Sequence, residues 1–438
     1  MDPSDSAAPK PPRAAPYDVG STDDSLPRMV QDFAALGDTY CVHAPGRGRD
    51  SYVISDPQDI KRVLLTNHRN YTKGVGFDRI KLLLGNGIIV SDGAFWQRQR
   101  RMLQPAFQRA NIERTGAMIA SLNEQRFARW EQLAVSGEPL NITKEMSELS
   151  LDIVLSSLFG PDIEQLIAEV GHNPFSLVTE EPTRDLKFAY RFRQLSKHVE
   201  SIIARRQKSA DVTMNDWLGT IMTARDPATG AAMTLREMLD EVFSLIVAGH
   251  ETTAGTLNSA WYLLSQHPDV EATMHAELDN AVLTDWQLAS IEALHYTQQV
   301  LLEALRLYPP VWVFTRVATK EDKVGSYDLP ADSDVFVCPY VVHRHPEHWP
   351  EPEKFSPARF AADADPKPPR FAYVPFSAGP RHCIGETFAM YEMTIHLYLA
   401  ARRFRLRYTG DAPPEFEARI NLRTRDDLQM KVERRHSR

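Results

Sequence analysis

The stretch TLREMLDEVFSLIVAGHETTAGTLNSAWYLLSQHP, Thr234 to Pro268, constrains the fold more than any other part of the chain. A T-x-x-E capping box, Thr234 with Glu237, opens it, and Pro268 closes it. At roughly 1.5 Å per residue the predicted helix is about 50 Å long, enough to cross a whole domain. The rest of the chain has to be organised around a rod of that length.

The flanking patterns supply mostly helices. Residues 93–135 read as helical, beginning GAFWQRQRRMLQPAF, and ITKEMSELSLDIVLSSLFG, KFAYRFRQLSKHVESIIARRQ and SIEALHYTQQVLLEALRLYPP follow suit. The β signals are fewer. Thr39–Asp56 reads as a hairpin around a Gly-rich break, Val311–Val342 as strand-rich, and RINLRTRDDLQMKV as a terminal hairpin. There is no internal repeat and no interdomain linker, so the expectation is one mainly α domain with a small, mostly antiparallel β region, over residues 27–438. The Pro/Ala-rich lead-in, residues 1–26, is expected to be disordered or loosely packed.

Composition narrows the function by exclusion. A chain of 438 residues, 43% hydrophobic and 25% charged, can bury a large core. Its net charge of −8 argues against a nucleic-acid partner. Three scattered cysteines, Cys41, Cys338 and Cys383, give neither a disulfide framework nor a CxxC zinc site and suit a reducing cytoplasm. No apolar run has the roughly 20 residues that a membrane span needs, so no membrane anchor is expected.

The chemistry concentrates in YVPFSAGPRHCIGETFAM, where Phe376, Gly379, Arg381, Cys383 and Gly385 spell F-x-x-G-x-R-x-C-x-G. Gly379 permits a tight bend. Cys383 would sit in the first turn of a helix, whose free N–H groups favour a thiolate, and a thiolate is a metal ligand. Arg381 offers a cation to a nearby carboxylate, and Gly385 leaves room for something planar. Haem iron with an axial thiolate meets these requirements, whereas a lone buried cysteine would need none of them.

Midway along the long helix, AGHETT places Ala248 and Gly249 where bulk would obstruct a flat cofactor or a diatomic ligand. Thr252 can bond the carbonyl four residues back, and Glu251 beside it completes an acid–alcohol pair suited to proton relay. HETTA is not a zinc H-E-x-x-H, because Ala254 occupies the second histidine position. Taken alone, a self-satisfied threonine beside a surface glutamate accounts for the same residues.

Glu303 and Arg306, at i and i+3 amid Val300, Leu301, Leu302, Leu305 and Leu307, read as a buried ion pair. Trp96 and Arg100 share a helix face and could bind the propionates of a haem. Arg98 and Arg101, on other faces, are candidates for docking an acidic electron donor. His343, His345 and His348 read as a satisfied surface cluster rather than a metal site.

Together these motifs resemble the cytochrome P450 monooxygenases, in the right order from about Thr39 to the end of the chain. The resemblance implies a single-domain P450 fold with haem b between the long central helix and the cysteine loop. Cys383 would be the axial iron ligand, and its thiolate would favour O–O cleavage. Thr252 would organise the hydrogen bonds of the oxygen site, with Glu251 delivering protons. Glu303, Arg306 and Arg359 (in FSPARF) would form a structural triad, and Trp96, Arg100, Arg316 and Arg381 would contact the propionates.

The acid–alcohol pair favours O₂ over peroxide as oxidant and opposes a haem protein that only binds a ligand. The chain carries no flavin or iron–sulfur signature, so electrons from NAD(P)H would arrive through a ferredoxin or flavodoxin and its reductase. The expected reaction is hydroxylation or epoxidation of an apolar small molecule in secondary metabolism, by a monomeric cytoplasmic enzyme. Desaturation and oxidative coupling share the iron chemistry and stay open. Leu245, Val247, Val311, Val313 and Phe314 are the candidate substrate contacts, core packing being an equal alternative for each. The stretch 161–205 reads as shorter than the family's usual lid region by about one helix.

Overall fold

A computed structural model describes residues 9–20, 23–180, 186–208 and 215–435. The chain forms two compact units, each assembled from separate stretches: Met1–Asp78 with Glu303–Cys383 and Glu415–Arg425, and Arg79–Leu302 with Ile384–Pro414 and Asp426–Arg438. The chain passes between them repeatedly, which explains why the sequence shows no linker.

The first unit is built on a five-stranded sheet. Its strands lie in the order Thr39–Ala44, Arg49–Ile54, Asp334–Val337, Phe314–Ala318, Tyr71–Lys73. The predicted hairpin pairs Thr39 with Ile54 through Ala44 with Arg49. Alternation sends successive side chains to opposite faces. Tyr52, Ile54, Val335 and Val337 join one apolar cluster, while Tyr40, Val42, Val53 and Phe336 join another. A sheet covered on both faces also recruits the lead-in, contrary to expectation. Cys41 N–H donates to Pro12 O (2.8 Å) and Ala14 N–H to Cys41 O (2.9 Å), and Tyr17 and Val19 are buried. The edge strand's free backbone groups hold this segment, and composition cannot register such pairing.

The second unit is mainly helical. Its central helix, Leu235–Gln266, has 32 residues, about 48 Å, with both arms of the capping box formed. The C-terminal strands depart from the predicted hairpin. Leu422–Thr424 pairs with Phe416–Ala418 in the first unit, whereas Gln429–Arg434 pairs with Phe404–Tyr408 and Leu140–Asn141 in the second. Asn141 Nδ2 donates to the Asp427 carboxylate (2.7 Å), so the acidic turn residue anchors a non-local strand instead of closing a local hairpin.

The stretch 161–205, read as a shortened lid, is itself helical. Pro161–Val170 and Leu186–Lys208 are helices of 10 and 23 residues with a one-turn helix, Leu177–Glu180, between them. Part of that stretch, 181–185, lies outside the described residues. No helix among the described residues is long and apolar enough to cross a membrane.

Candidate active site

In the first unit, main-chain geometry presents Cys383. Its N–H donates to Phe376 O (2.9 Å), and His382 N–H donates to Gly379 O (3.0 Å). Ser377 and Gly379 both adopt left-handed φ, 60° and 67°. At Gly379 the constraint is doubled, since a Cβ there would lie 2.0 Å from the Leu64 carbonyl. The loop therefore closes with the thiol exposed, while Cys41 and Cys338 are buried. Cys383 stands ahead of the following helix rather than in its first turn. That helix runs Glu386–Ala401 with Gly385 as its N-cap, and the hydrogen bond back to Phe376 keeps Cys383 in the loop. An accessible, main-chain-fixed thiol suits an axial iron ligand.

Behind this loop is a frame of unusual completeness. Glu303 and Arg306 are fully buried and joined by two parallel bonds, Nε to Oε2 (2.7 Å) and Nη2 to Oε1 (2.8 Å). The other guanidinium protons go to the carbonyls of His343 (2.9 Å), Pro352 (2.7 Å) and Lys354 (3.1 Å). Arg359 Nε lies 3.3 Å from Glu303 Oε1, which also accepts from Ser356 N–H (2.9 Å), so the expected triad is assembled.

His343 carries the frame to the cysteine segment by accepting the Val374 N–H at Nε2 (2.9 Å). Burial, with Arg306 nearby, lowers its pKa to about 3, which keeps it the neutral acceptor. The histidine cluster is thus not a surface one. His343 and His345 are buried and serve separate partners, Val374 and Asp38.

Arg316 is buried in the same unit and donates to Thr315 O (2.8 Å), and Arg381 is half-buried in the turn Gly379–Arg381. The segment Pro310–Phe314 is clamped by Leu422 N–H on Pro310 O (2.8 Å) and by the Trp312 indole on Arg419 O (2.9 Å). Val313 and Phe314 pack against the two apolar clusters, and Val311 is partly exposed.

In the second unit the central helix opens a window at the predicted motif. Ala248 is exposed and Val247, Glu251 and Thr252 partly so, between the buried Ile246 and Thr253; Leu245 is buried. Thr252 Oγ1 donates to Ala248 O (2.8 Å), the back-bond expected of it. Gly249 has a different role from the one its sequence suggests. A Cβ there would meet Val154 Cγ2 at 2.8 Å, so it admits the neighbouring helix Ile142–Phe159, and Ala248 alone keeps the open face small.

Trp96 is buried and Arg100 half-buried on Gly93–Leu103. Arg98 pairs with Glu237 (2.6 Å) and Asp226 (3.8 Å), and the half-exposed Arg101 lies 3.6 Å from Asp226.

Sequence reasoning misses a carboxylate clasp near the start of the central helix Leu235–Gln266. Glu241, fully buried, accepts from Ile88 N–H (2.8 Å) and Gln99 Nε2 (2.9 Å), and Asp240 accepts from Asn86 N–H (2.8 Å). Gly85 and Gly87 are required there, because a Cβ on either would fall within 2.1 Å of the Asp240 or Ser244 side chain. An acid four residues before the buried Leu245, hence on one helix face with it, was the available signal.

Burial raises the Glu241 pKa from 4.5 to about 7. The native state therefore keeps a proton that the unfolded chain has released, and wild-type stability declines as pH rises through that window. Glutamine does not titrate. The stability of the wild type relative to Glu241→Gln should fall by about 3 kcal/mol between pH 4.5 and 7, as read from denaturant unfolding of both proteins. A pH-independent difference would refute the buried acid.

Comparison with known proteins gives a consistent picture. The family model described as Cytochrome P450 matches residues 21–432. Cyclooctat-9-en-7-ol 5-monooxygenase of Streptomyces melanosporofaciens is 34% identical over 90% of this chain and 91% of its own length. Cyclooctatin synthase from the same organism is 34% identical over 82% of this chain and 81% of its own. Pentalenene oxygenase of Streptomyces avermitilis is 29% identical over 83% of each. The crystal structure of the cytochrome P450DA heme domain superposes with a TM-score of 0.84 at 23% identity, over 98% of this chain and 99% of that one, a likeness of fold.

Proposed function

Because the chain belongs to the cytochrome P450 family, whose model spans residues 21–432, we propose that it inserts one oxygen atom from O₂ into a polycyclic isoprenoid, using electrons delivered by separate redox proteins. Oxidoreductase chemistry of the monooxygenase class follows from that membership and from the named relatives. The observation that carries the reading is the exposed Cys383 thiol, fixed by its own main chain while the other two cysteines are buried.

Haem, when bound, supplies the iron at which dioxygen is reduced. Cys383 is the residue we assign to hold it, with Gly379 and Phe376 fixing the loop and Gly385 presenting no side chain. Trp96, Arg100, Arg316 and Arg381 would supply donors for its propionates. On the central helix the Thr252 hydroxyl holds a proton at the open face, where Ala248 leaves space, and Glu251 replenishes it.

The substrate class rests on the relatives' names, which denote carbocyclic alkenes and alcohols, and on the apolar candidates. Val247, Val311, Val313 and Phe314 are all partly exposed, the last two also packing against the apolar clusters, whereas Leu245 is buried. The electron donors are proposed as a ferredoxin or flavodoxin with its NAD(P)H-dependent reductase.

The test supplies a surrogate ferredoxin and reductase, NADPH and ¹⁸O₂ to a panel containing pentalenene and cyclooctat-9-en-7-ol. Gain of one labelled oxygen is the expected product, and loss of two hydrogens would assign a desaturase instead. With an accepted substrate, Thr252→Ala should lower product formed per NADPH on the order of 10²-fold, the scale of a lost proton-handling group, with peroxide released in its place. Unchanged coupling in that variant would remove Thr252 from the proton path.

A further inference from the structure

Two tryptophans in the second unit hold their indole protons against bases. Trp130 and Trp261 are fully buried, and their rings meet edge to face with centroids 6.3 Å apart. Trp261, on the central helix, donates its Nε1–H to His396 Nε2 (2.9 Å), and Trp130 donates to Glu145 Oε1 (3.0 Å). A buried indole needs only an acceptor, and a main-chain carbonyl serves. Trp312 and Trp349 use one, on Arg419 and Ala372. The pair in ring contact instead faces groups that can take the proton away.

The two bases are unequal. His396 accepts at Nε2, so its own proton sits on Nδ1, against Asn123 Oδ1 (2.7 Å). Protonating it further would bury an imidazolium, and burial, with Arg126 nearby, lowers its pKa to about 3. Glu145 is 1% exposed and held by Arg129 (3.1 Å) and Arg126 (3.6 Å). Keeping a carboxylate inside the core is costly, and a carbonyl would satisfy the indole without it. Its charge beside Trp130 stabilises positive charge on that ring and gives the indole proton a place to go.

Given the haem that Cys383 is assigned to hold, on which this rests, we propose that Trp261 and Trp130 form a drain for oxidising equivalents when no substrate takes the oxygen. Trp261 follows Thr252 by nine residues on the same helix, about 14 Å along its axis at roughly 1.5 Å per residue. Trp261 yields one electron toward the haem and regains one from Trp130. Trp130 then passes its Nε1 proton to Glu145 Oε1 and remains as a neutral indolyl radical. Hydrogen peroxide is the oxidant. Each molecule takes two electrons and two protons to become two waters, one electron coming from Trp130, the other from the haem, and the protons from solvent.

Freeze-quenched electron paramagnetic resonance of the substrate-free, haem-loaded protein mixed with hydrogen peroxide tests the drain. A radical signal that indole-deuterated tryptophan narrows is expected. It should be lost in Trp130→Phe and in Trp261→Phe, and weakened in Glu145→Gln, which keeps an acceptor but not the charge. Phe127→Leu loosens the same aromatic cluster, its ring being 5.6 Å from Trp130, and should leave the signal in place. Peptide mass spectrometry gives a second readout. Oxygen should be added at Trp130 in the wild type, whereas Trp130→Phe should bleach its haem severalfold faster and oxidise Cys383 instead.

A signal that survives Trp130→Phe, or is undiminished in Glu145→Gln, overturns the proposal. So does the lack of any signal in protein that shows the red-shifted carbon monoxide Soret band of a thiolate-bound haem. A signal lost equally in Phe127→Leu reduces the pair to packing. If the wild type lacks that Soret band, the haem assignment has failed first and the drain falls with it.

Discussion

Cys383→Ala is expected to abolish the red-shifted Soret band of the reduced, carbon monoxide-treated protein, together with all NADPH-driven product, while unfolding at the wild-type denaturant midpoint. The two halves of this result have separate causes. The thiol is exposed and its loop is closed by main-chain bonds, so removing the sulfur leaves that closure in place. Substitutions of that kind usually change stability by less than about 0.5 kcal/mol. The spectral loss should be complete because neither remaining cysteine can take over. Burial pushes Cys41 up to about 11 and Cys338 up to about 12, so both stay protonated near neutrality, and a protonated thiol is a poor ligand. Serine at position 383 should fail equally, since its hydroxyl does not ionise in this range. Retention of the band in either variant would refute the ligand assignment.

The parts of this fold that were legible in the sequence are those whose causes are local. The central helix begins at its capping box and ends before Pro268, and the first hairpin keeps its register through the Gly-rich break, because caps, prolines and turn residues act within a few positions. Non-local pairing was hidden. Nothing near Gln429 announces that it will lie beside Asn141, and nothing in a Pro/Ala-rich lead-in announces the strand edge it covers.

The site divides along the same line. Gly379 could be read as a bend, but the Leu64 carbonyl that makes it obligatory is more than 300 positions away. Small residues look alike in a sequence, which places Gly249 on the open face, and its approach to Val154 separates the two roles. Glu241 is hidden for a third reason: acids are read as solvent-facing by default.

The largest loss of stability is expected at Arg306. Its guanidinium is fully buried with five hydrogen bonds, two to Glu303 and one each to the carbonyls of His343, Pro352 and Lys354. Arg306→Ala orphans those three carbonyls and leaves the Glu303 carboxylate to Arg359 and one backbone N–H. Breaking a buried pair from one side typically costs about 3–5 kcal/mol, a large share of the roughly 5–15 kcal/mol that holds a domain together. Lysine should rescue little, because three donors on a point charge cannot reach acceptors arranged around a planar fork. Glu303→Ala should be somewhat milder, since Arg306 keeps its three carbonyls.

The spectrum should fail along with the stability. Through His343 this frame fixes Val374, nine residues before Cys383, so loosening it releases the segment that presents the thiol. Arg306→Ala is therefore predicted to lose the carbon monoxide band together with several kcal/mol, where Cys383→Ala loses the band alone. Denaturant unfolding run beside the carbon monoxide spectrum of both variants separates scaffold from ligand. Wild-type stability in Arg306→Ala would mean that the frame does not hold the loop.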